Sequence, residues 1–299
     1  MPRLIIRPDF DGLVCAVYLK HIFPIESVLF AEPKDIQDGL FPVLPSDIIA
    51  NLPYHPACSW WFDHHASNDI PDEFRGVFEV APSAAGLIWE AFKSTVPSLK
   101  RFNDLTRETD KIDGALLDRD DILSPKDYVL VSFTVVPSRE STDYEYWNLL
   151  IDLLDSGKPE TCLQNQEVMN RIAFFLNSQE KYRQAILAHS SMKDHLLITD
   201  FRNVDDREWI SNRFLPFAMF EPCNIQLQLT RDRLNPSLVK ISLGKSILNR
   251  SSKLHVGRLL KSLGGGGHEG AGSTRVPENE VDKTVDLLVS QILPPSSID

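Results

Sequence analysis

Three groups of residues have the types and spacing to do chemistry. In LIIRPDFDGLVCAVYLK, Asp9 and Asp11 follow a short β-prone run, and Gly12 opens a helix. Two carboxylates in a tight turn at a strand's carboxyl end can share or divide hard divalent cations. A helix cap accounts for one such acid, because Asp at an N-cap accepts from free N–H groups and suits the helix dipole. The second acid exceeds that need. In SWWFDHH an aromatic run passes into Asp63, His64 and His65. Carboxylate and neutral imidazole both ligate divalent ions, and a strand end holds them rigidly at a sheet rim; the bland alternative is a surface turn with two solvated rings. Asp110, with Asp113 close by in LTRETDKIDGALLDRDD, lies in a charge run that reads by itself as a solvated face. It gains meaning only as a member of a set.

The third group is SLGGGGHEGAGS, with Gly264 to Gly267 before His268 and with Gly270 and Gly272 after it. Each glycine costs about 0.5 to 1 kcal/mol relative to alanine inside a helix or strand, so secondary-structure stability does not explain the run. Such backbone can approach an anion closely and turn several N–H groups onto phosphate oxygens. A flexible linker fits less well, since apolar helical patterns flank the run and a histidine follows it at once. Upstream, GKSILNRSSKLHVGRLL supplies Lys245, Arg250, Ser251 and Ser252. Arginine suits phosphate through its planar fork, and serines add neutral donors.

The elements that must position these residues form an alternating pattern. Leu4 to Ile6, Ser27 to Ala31, Asp47 to Ala50, Trp60 to Phe62 and Val77 to Val80 read as strands, and Gly12 to His21 and Ser83 to Phe92 as helices. This alternation predicts an α/β fold with a mostly parallel sheet, which binds ligands beyond the carboxyl ends of its strands. From Tyr144 to His189 the pattern is that of long amphipathic helices, broken at Gly157-Lys158-Pro159. Strands return in HLLITD, NIQLQLTRD and SLVKISLG, with a last helix from about Glu278 and a frayed Pro294 to Ser297 tail. The expected organisation is a first domain over 1–158, a helical connector over 159–190 and a smaller α/β domain over 191–299.

Composition bounds the function. The chain has 299 residues, 42% apolar and 24% charged, which suits two ordinary globular domains. There is no continuous apolar span or signal-peptide layout, so no membrane role and a cytoplasmic location are expected. Four scattered cysteines without a CxxC pair suggest neither a zinc ribbon nor a disulfide framework. A net charge of -11 argues against a broad basic face for long duplex DNA. It does not exclude a short anionic substrate, because bound cations invert the local field of an acidic cluster. Trp60 and Trp61 read as core packing, and no basic stripe suits a long single strand.

RPDFDGLVCA, FDHH and GGGGHEGAGS, in this order and across almost the whole length, make the chain resemble the DHH phosphoesterases. That family includes RecJ-type exonucleases, oligoribonucleases, cyclic dinucleotide phosphodiesterases and proteins named exopolyphosphatases. The chain is most similar to the exopolyphosphatase-like and oligoribonuclease-like members. The resemblance implies a metal-binding DHH domain and a DHH-associated substrate domain that closes on it. It also implies one or two divalent ions, manganese as a rule. Asp9, Asp11, Asn51, His64 and Asp110 would fall on metal positions. Asp63 would act beside the ion, and His65 would face the scissile phosphate. Arg250, Ser252, Gly266, Gly267 and His268 would hold substrate.

Two departures stand out. The family's histidine before the first acids is absent, with Ile5 and Arg7 in that region, and Asn51 stands where a bridging aspartate is expected, with Asp47 at the strand's other end. A neutral amide bridges two cations poorly. The expected function is metal-dependent hydrolysis of a phosphoester or phosphoanhydride bond in a short oligonucleotide, nucleoside phosphate or polyphosphate. The alternative is a nucleotide-binding protein whose catalysis Arg7 and Asn51 have weakened. Short single-stranded nucleic acid is an admissible partner, and a homodimer is left open.

Overall fold

The computed structural model describes residues 2–136, 141–205, 209–232 and 235–293. The expected frayed tail lies outside them. Five short apolar runs form β1 (Arg3–Ile6), β2 (Ser27–Phe30), β3 (Ile48–Ala50), β4 (Trp60–Asp63) and β5 (Gly76–Phe78). They pair in the order β2-β1-β3-β4-β5, all parallel. Side chains alternate between the two sheet faces. Leu4, Ile6, Ile48, Ala50 and Phe62 join one core cluster, while Ile5, Ile49 and Trp61 join another. A parallel sheet buried on both faces needs such continuous apolar strands.

The register sets up the site. Ile6 lies opposite Phe30 and Ala50, and Ala50 lies opposite Phe62. Residues 7–11, Asn51 and the segment from Asp63 to His65 therefore all leave the sheet at one rim. Along the chain, the helices before the second sheet are α1 (Phe10–Ile22), α2 (Pro33–Gln37), α3 (Ala84–Phe92), α4 (Asn103–Asp113), α5 (Arg119–Leu123), α6 (Asp127–Ser132), α7 (Ser141–Leu154), α8 (Pro159–Leu163) and α9 (Gln166–His189). Residues Phe10 to Leu19 of α1 are all buried. Gly12 lets that helix start tight against the sheet: a Cβ there would meet the Arg7 carbonyl oxygen at 2.0 Å.

The second sheet contains β6 (Ser190–Lys193), β7 (Leu196–Asp200), β8 (Ile225–Arg231), β9 (Leu238–Lys245), β10 (Gly266–Gly267) and β11 (Ala271–Pro277). Its order is β10-β11-β9-β8-β7-β6, antiparallel except between β7 and β8. With α11 (Val256–Lys261) and α12 (Val281–Ile292) it encloses a core that includes Leu196, Leu227, Ile241, Leu260 and Leu288, while α10 (Leu215–Met219) places Phe217 in a separate cluster with Leu197 and Cys223. The α/β class with a parallel first sheet and a second α/β layer is as expected.

Packing divides the chain into one unit of Met1–Leu117 and Pro125–Phe174 and another of Asp118–Ser124 and Phe175–Asp299. The segment expected as a connector forms no body of its own. α8 and the start of α9 belong to the first unit, and the rest of α9 to the second. Among the described residues no helix is long and apolar enough to cross a membrane.

Candidate functional site

Asp11 is fully buried at the start of α1, and its two oxygens accept from Ala84 N and Ala85 N, each at 2.9 Å. These are N–H groups of the first turn of α3, whose positive dipole end favours a carboxylate. Ser83 caps that turn, accepting from Gly86 N at 2.9 Å. His64 leaves β4 with its Nδ1 2.8 Å from the Ala81 carbonyl. A carbonyl can only accept, so Nδ1 donates, and in the neutral ring Nε2 is then the nitrogen that carries the lone pair.

That Nε2 is buried and has no hydrogen-bond partner among the described residues. It lies 3.2 Å from Asp113 Oδ2 and 3.7 Å from Asp11 Oδ2. Ligand atoms of Asp11, His64 and Asp113 thus lie within 4.8 Å of one another. Burial and the neighbouring acid Asp9 push the Asp11 carboxyl up to about 7. Burial, then Asp11 and Asp9, raise Asp113 to about 7 as well. A divalent cation relieves both the repulsion and the orphaned nitrogen, and one nitrogen with two oxygens suits a borderline or hard ion. The residues present fit a divalent cation.

The sequence reading chose Asp110 as the later acid, and the structure brings Asp113 to His64 instead. Asp110 sits one turn earlier on α4, where its Oδ1 accepts from Ser83 Oγ at 2.6 Å. Both acids occupy the last turn of α4, where the helix dipole disfavours negative charge. Helix stability therefore does not explain either one.

Asp9 and Asn51 form a second group. Asp9 Oδ1 accepts from Gly12 N at 2.9 Å and from Asn51 Nδ2 at 2.8 Å, and its Oδ2 lies 3.1 Å from Arg7 Nε. Asn51 Oδ1 is buried without a donor among the described residues. Asn51 also adopts a left-handed backbone, φ 56°. Asp47, at the amino end of β3, is remote from this rim and accepts from Arg3 Nε at 2.9 Å.

Asp63 holds the third position. Its Oδ1 accepts from His64 N at 2.7 Å and faces His65 Nδ1 at 2.8 Å, and its Oδ2 accepts from Asn68 Nδ2. The hydrogen bond to Asp63 raises the pKa of His65, whose side chain is 37% exposed. Asp63, His64 and His65 also offer ligand atoms within 4.8 Å of one another.

In the second unit the glycine run has a packing explanation that the sequence reading missed. A Cβ on Gly265 would meet Ser273 O at 2.5 Å, and one on Gly267 would meet Ala271 O at 2.3 Å. The N–H groups of Gly264, Gly265 and His268 donate to Lys261, Leu260 and Ala271 carbonyls. Gly266 and Gly267 pair with β11. The run is therefore a close-packed hairpin edge, and most of its N–H groups are not turned to an anion. Gly266 and His268 are exposed. Arg250 is exposed and donates to Ile247 O at 2.9 Å, and Ser252 Oγ accepts from Leu254 N at 3.3 Å.

No family model matches the chain, and no curated protein sequence matches it. Among solved structures it is similar to a pGpG-specific phosphodiesterase, PggH from Vibrio cholerae. The two are 31% identical with a TM-score of 0.84, over 98% of this chain and 99% of that one. RecJ from Thermus thermophilus, in complex with Mn2+, shares the fold at 10% identity and a TM-score of 0.53, over 97% of this chain and 51% of that chain. An exonuclease RecJ bound to manganese does so at 11% identity, also with a TM-score of 0.53, over 97% and 89%.

Proposed function

The chain belongs to the DHH phosphoesterase family, and we propose on that premise that it hydrolyses short linear dinucleotides of the pGpG class with manganese as its ion. Two observations support this. The hydrolytic reading is carried by His64 Nε2, buried without a partner and facing Asp113 at 3.2 Å. The substrate class rests on full-length similarity to a phosphodiesterase named for pGpG.

Asp11, His64 and Asp113 would hold one ion. When bound, it neutralises charge on phosphoryl oxygens and acidifies water at neutral pH. Asp9 belongs to a different task, because Arg7, Asn51 and Gly12 engage both of its oxygens. Arg7 thereby keeps a fixed positive charge at the rim, available to a substrate phosphate.

Hydrolysis joins the oxygen of water to phosphorus and breaks the P–O bond to the 3′ oxygen, which takes a proton. His65 supplies that proton. Its Nδ1 is held by Asp63, so Nε2 is the nitrogen presented to substrate, and the raised pKa keeps the ring charged further toward neutral pH. In the second unit, Arg250, Ser252 and His268 are candidate phosphate ligands in their own right. Four free cysteines suit the reducing cytoplasm.

The test is turnover of pGpG to GMP by the full chain in manganese, compared with phosphate release from tripolyphosphate. Expected is faster turnover of pGpG, lost in Asp11→Ala. Faster hydrolysis of tripolyphosphate would replace the dinucleotide by polyphosphate as substrate.

A further inference from the structure

From Phe175 on, α9 belongs to the second unit and carries two seams. Phe175, Ser178, Tyr182 and Ile186 recur at helical spacing and are buried. Within the unit, the Tyr182 ring meets those of Phe201 and Trp209 at 6.1 and 5.9 Å. The other seam is Leu176, Glu180, Arg183 and Leu187, at steps of four, three and four residues. Alternating steps of four and three are those of the a and d positions of a coiled coil. Leu176 is 48% exposed and Leu187 56%, and the Glu180 and Arg183 side chains are exposed as well. Single exposed leucines need no explanation, but two on one coiled-coil seam with opposite charges between them form a pattern.

That pattern is complementary to itself. In an antiparallel pair of α9 helices, setting Leu176 against the partner's Leu187 fixes the register. The same register sets Glu180 against the partner's Arg183, because both pairs are centred on one point, between Lys181 and Tyr182. A two-fold axis through that point makes every contact twice. The parallel arrangement would face Glu180 with the partner's Glu180 and Arg183 with the partner's Arg183, and like charges disfavour it. A polar layer inside an apolar seam selects register and orientation in this way. Within one chain Glu180 and Arg183 lie 3.9 Å apart, and Gln184 Nε2 donates to Glu180 Oε1 at 2.8 Å. Exposed contacts along one helix surface hold their groups weakly, so these allow exchange with a second chain.

We propose that the protein forms a two-fold homodimer through α9, with Leu176 packed on the partner's Leu187 and Glu180 paired with the partner's Arg183. The occupant of this face is a second copy of the chain, since the face supplies both halves of its own complement. The inference is independent of the substrate and of the metal.

The experiment is sedimentation of the full chain up to roughly 100 μM, a range that reaches the affinities of small interfaces. The wild type should sediment as a dimer whose fraction grows with concentration. Leu187→Glu should weaken association by about 100-fold or more, because symmetry removes the leucine contact twice. Glu180→Arg alone and Arg183→Glu alone should each weaken it, since each sets like charges against one another. Mixing these two variants should restore dimers, which a role confined to one helix would not do. Thermal melting confirms that each variant is folded. A wild type that is monomeric throughout overturns the proposal and leaves the face to another protein. A dimer that Leu187→Glu leaves intact also overturns it, as does failure of the mixed variants to associate.

Discussion

Asp110 and Asp113 lie one turn apart on α4, and their different partners separate their roles. Asp113 faces His64 at 3.2 Å, whereas Asp110 accepts from Ser83. Asp113→Ala should therefore weaken manganese binding by more than about 100-fold. Asp110→Ala should weaken it by about 10- to 100-fold, as loss of a group that orients a ligand does. Titration of both variants with manganese checks this, and equal losses would reverse the assignment. The sequence could not make this choice. Both acids share one charge run, and an i,i+3 spacing puts them on one helix face. Only the docking of α4 against the turn around Ala81 decides between them. By contrast the placing of Asp9, Asp11, Asp63, His64 and His65 at one sheet rim was legible, because each lies at, or within a few residues of, the carboxyl end of a short apolar strand.

The first turn of α3 ties together groups that are distant in sequence. Ser83 caps it and donates to Asp110, while Ala84 and Ala85 hold both oxygens of Asp11. Ser83→Ala should cost about 1 kcal/mol in denaturant unfolding, the usual loss for an N-cap. It should also lower manganese affinity, since Asp110 and the turn that fixes Asp11 both lose an anchor. A stability loss with unchanged manganese binding would show that the cap serves the helix alone. The five parallel strands, α1 and α3 could be read from apolar runs and caps, whereas the short α2 (Pro33–Gln37) was not. β6 could not, because Ser190–Lys193 follows α9 without a breaking residue. β10 is two glycines, which strand propensity disfavours and which close backbone packing against β11 requires.

For the molecule as a whole, the metal centre is a pH-dependent burden until an ion fills it. Asp11 and Asp113 are raised from 3.8 to about 7. Between these values the folded chain retains protons that the unfolded chain has released. Stability of the metal-free protein therefore falls as pH rises through that window and stays lowered above it. An ion replaces those protons, so manganese should raise the melting temperature more at pH ~8 than at pH ~5. Melting curves with chelator and with manganese measure the difference, and Asp113→Ala should flatten it; an unchanged pH trend in that variant would refute the account. The left-handed turn at Asn51, φ 56°, carries a consequence for descent. Asparagine and aspartate tolerate that conformation alike, and their codons differ by one nucleotide. The scaffold can thus add one more carboxylate to this rim in a single mutational step, altering its appetite for ions without rebuilding the chain path.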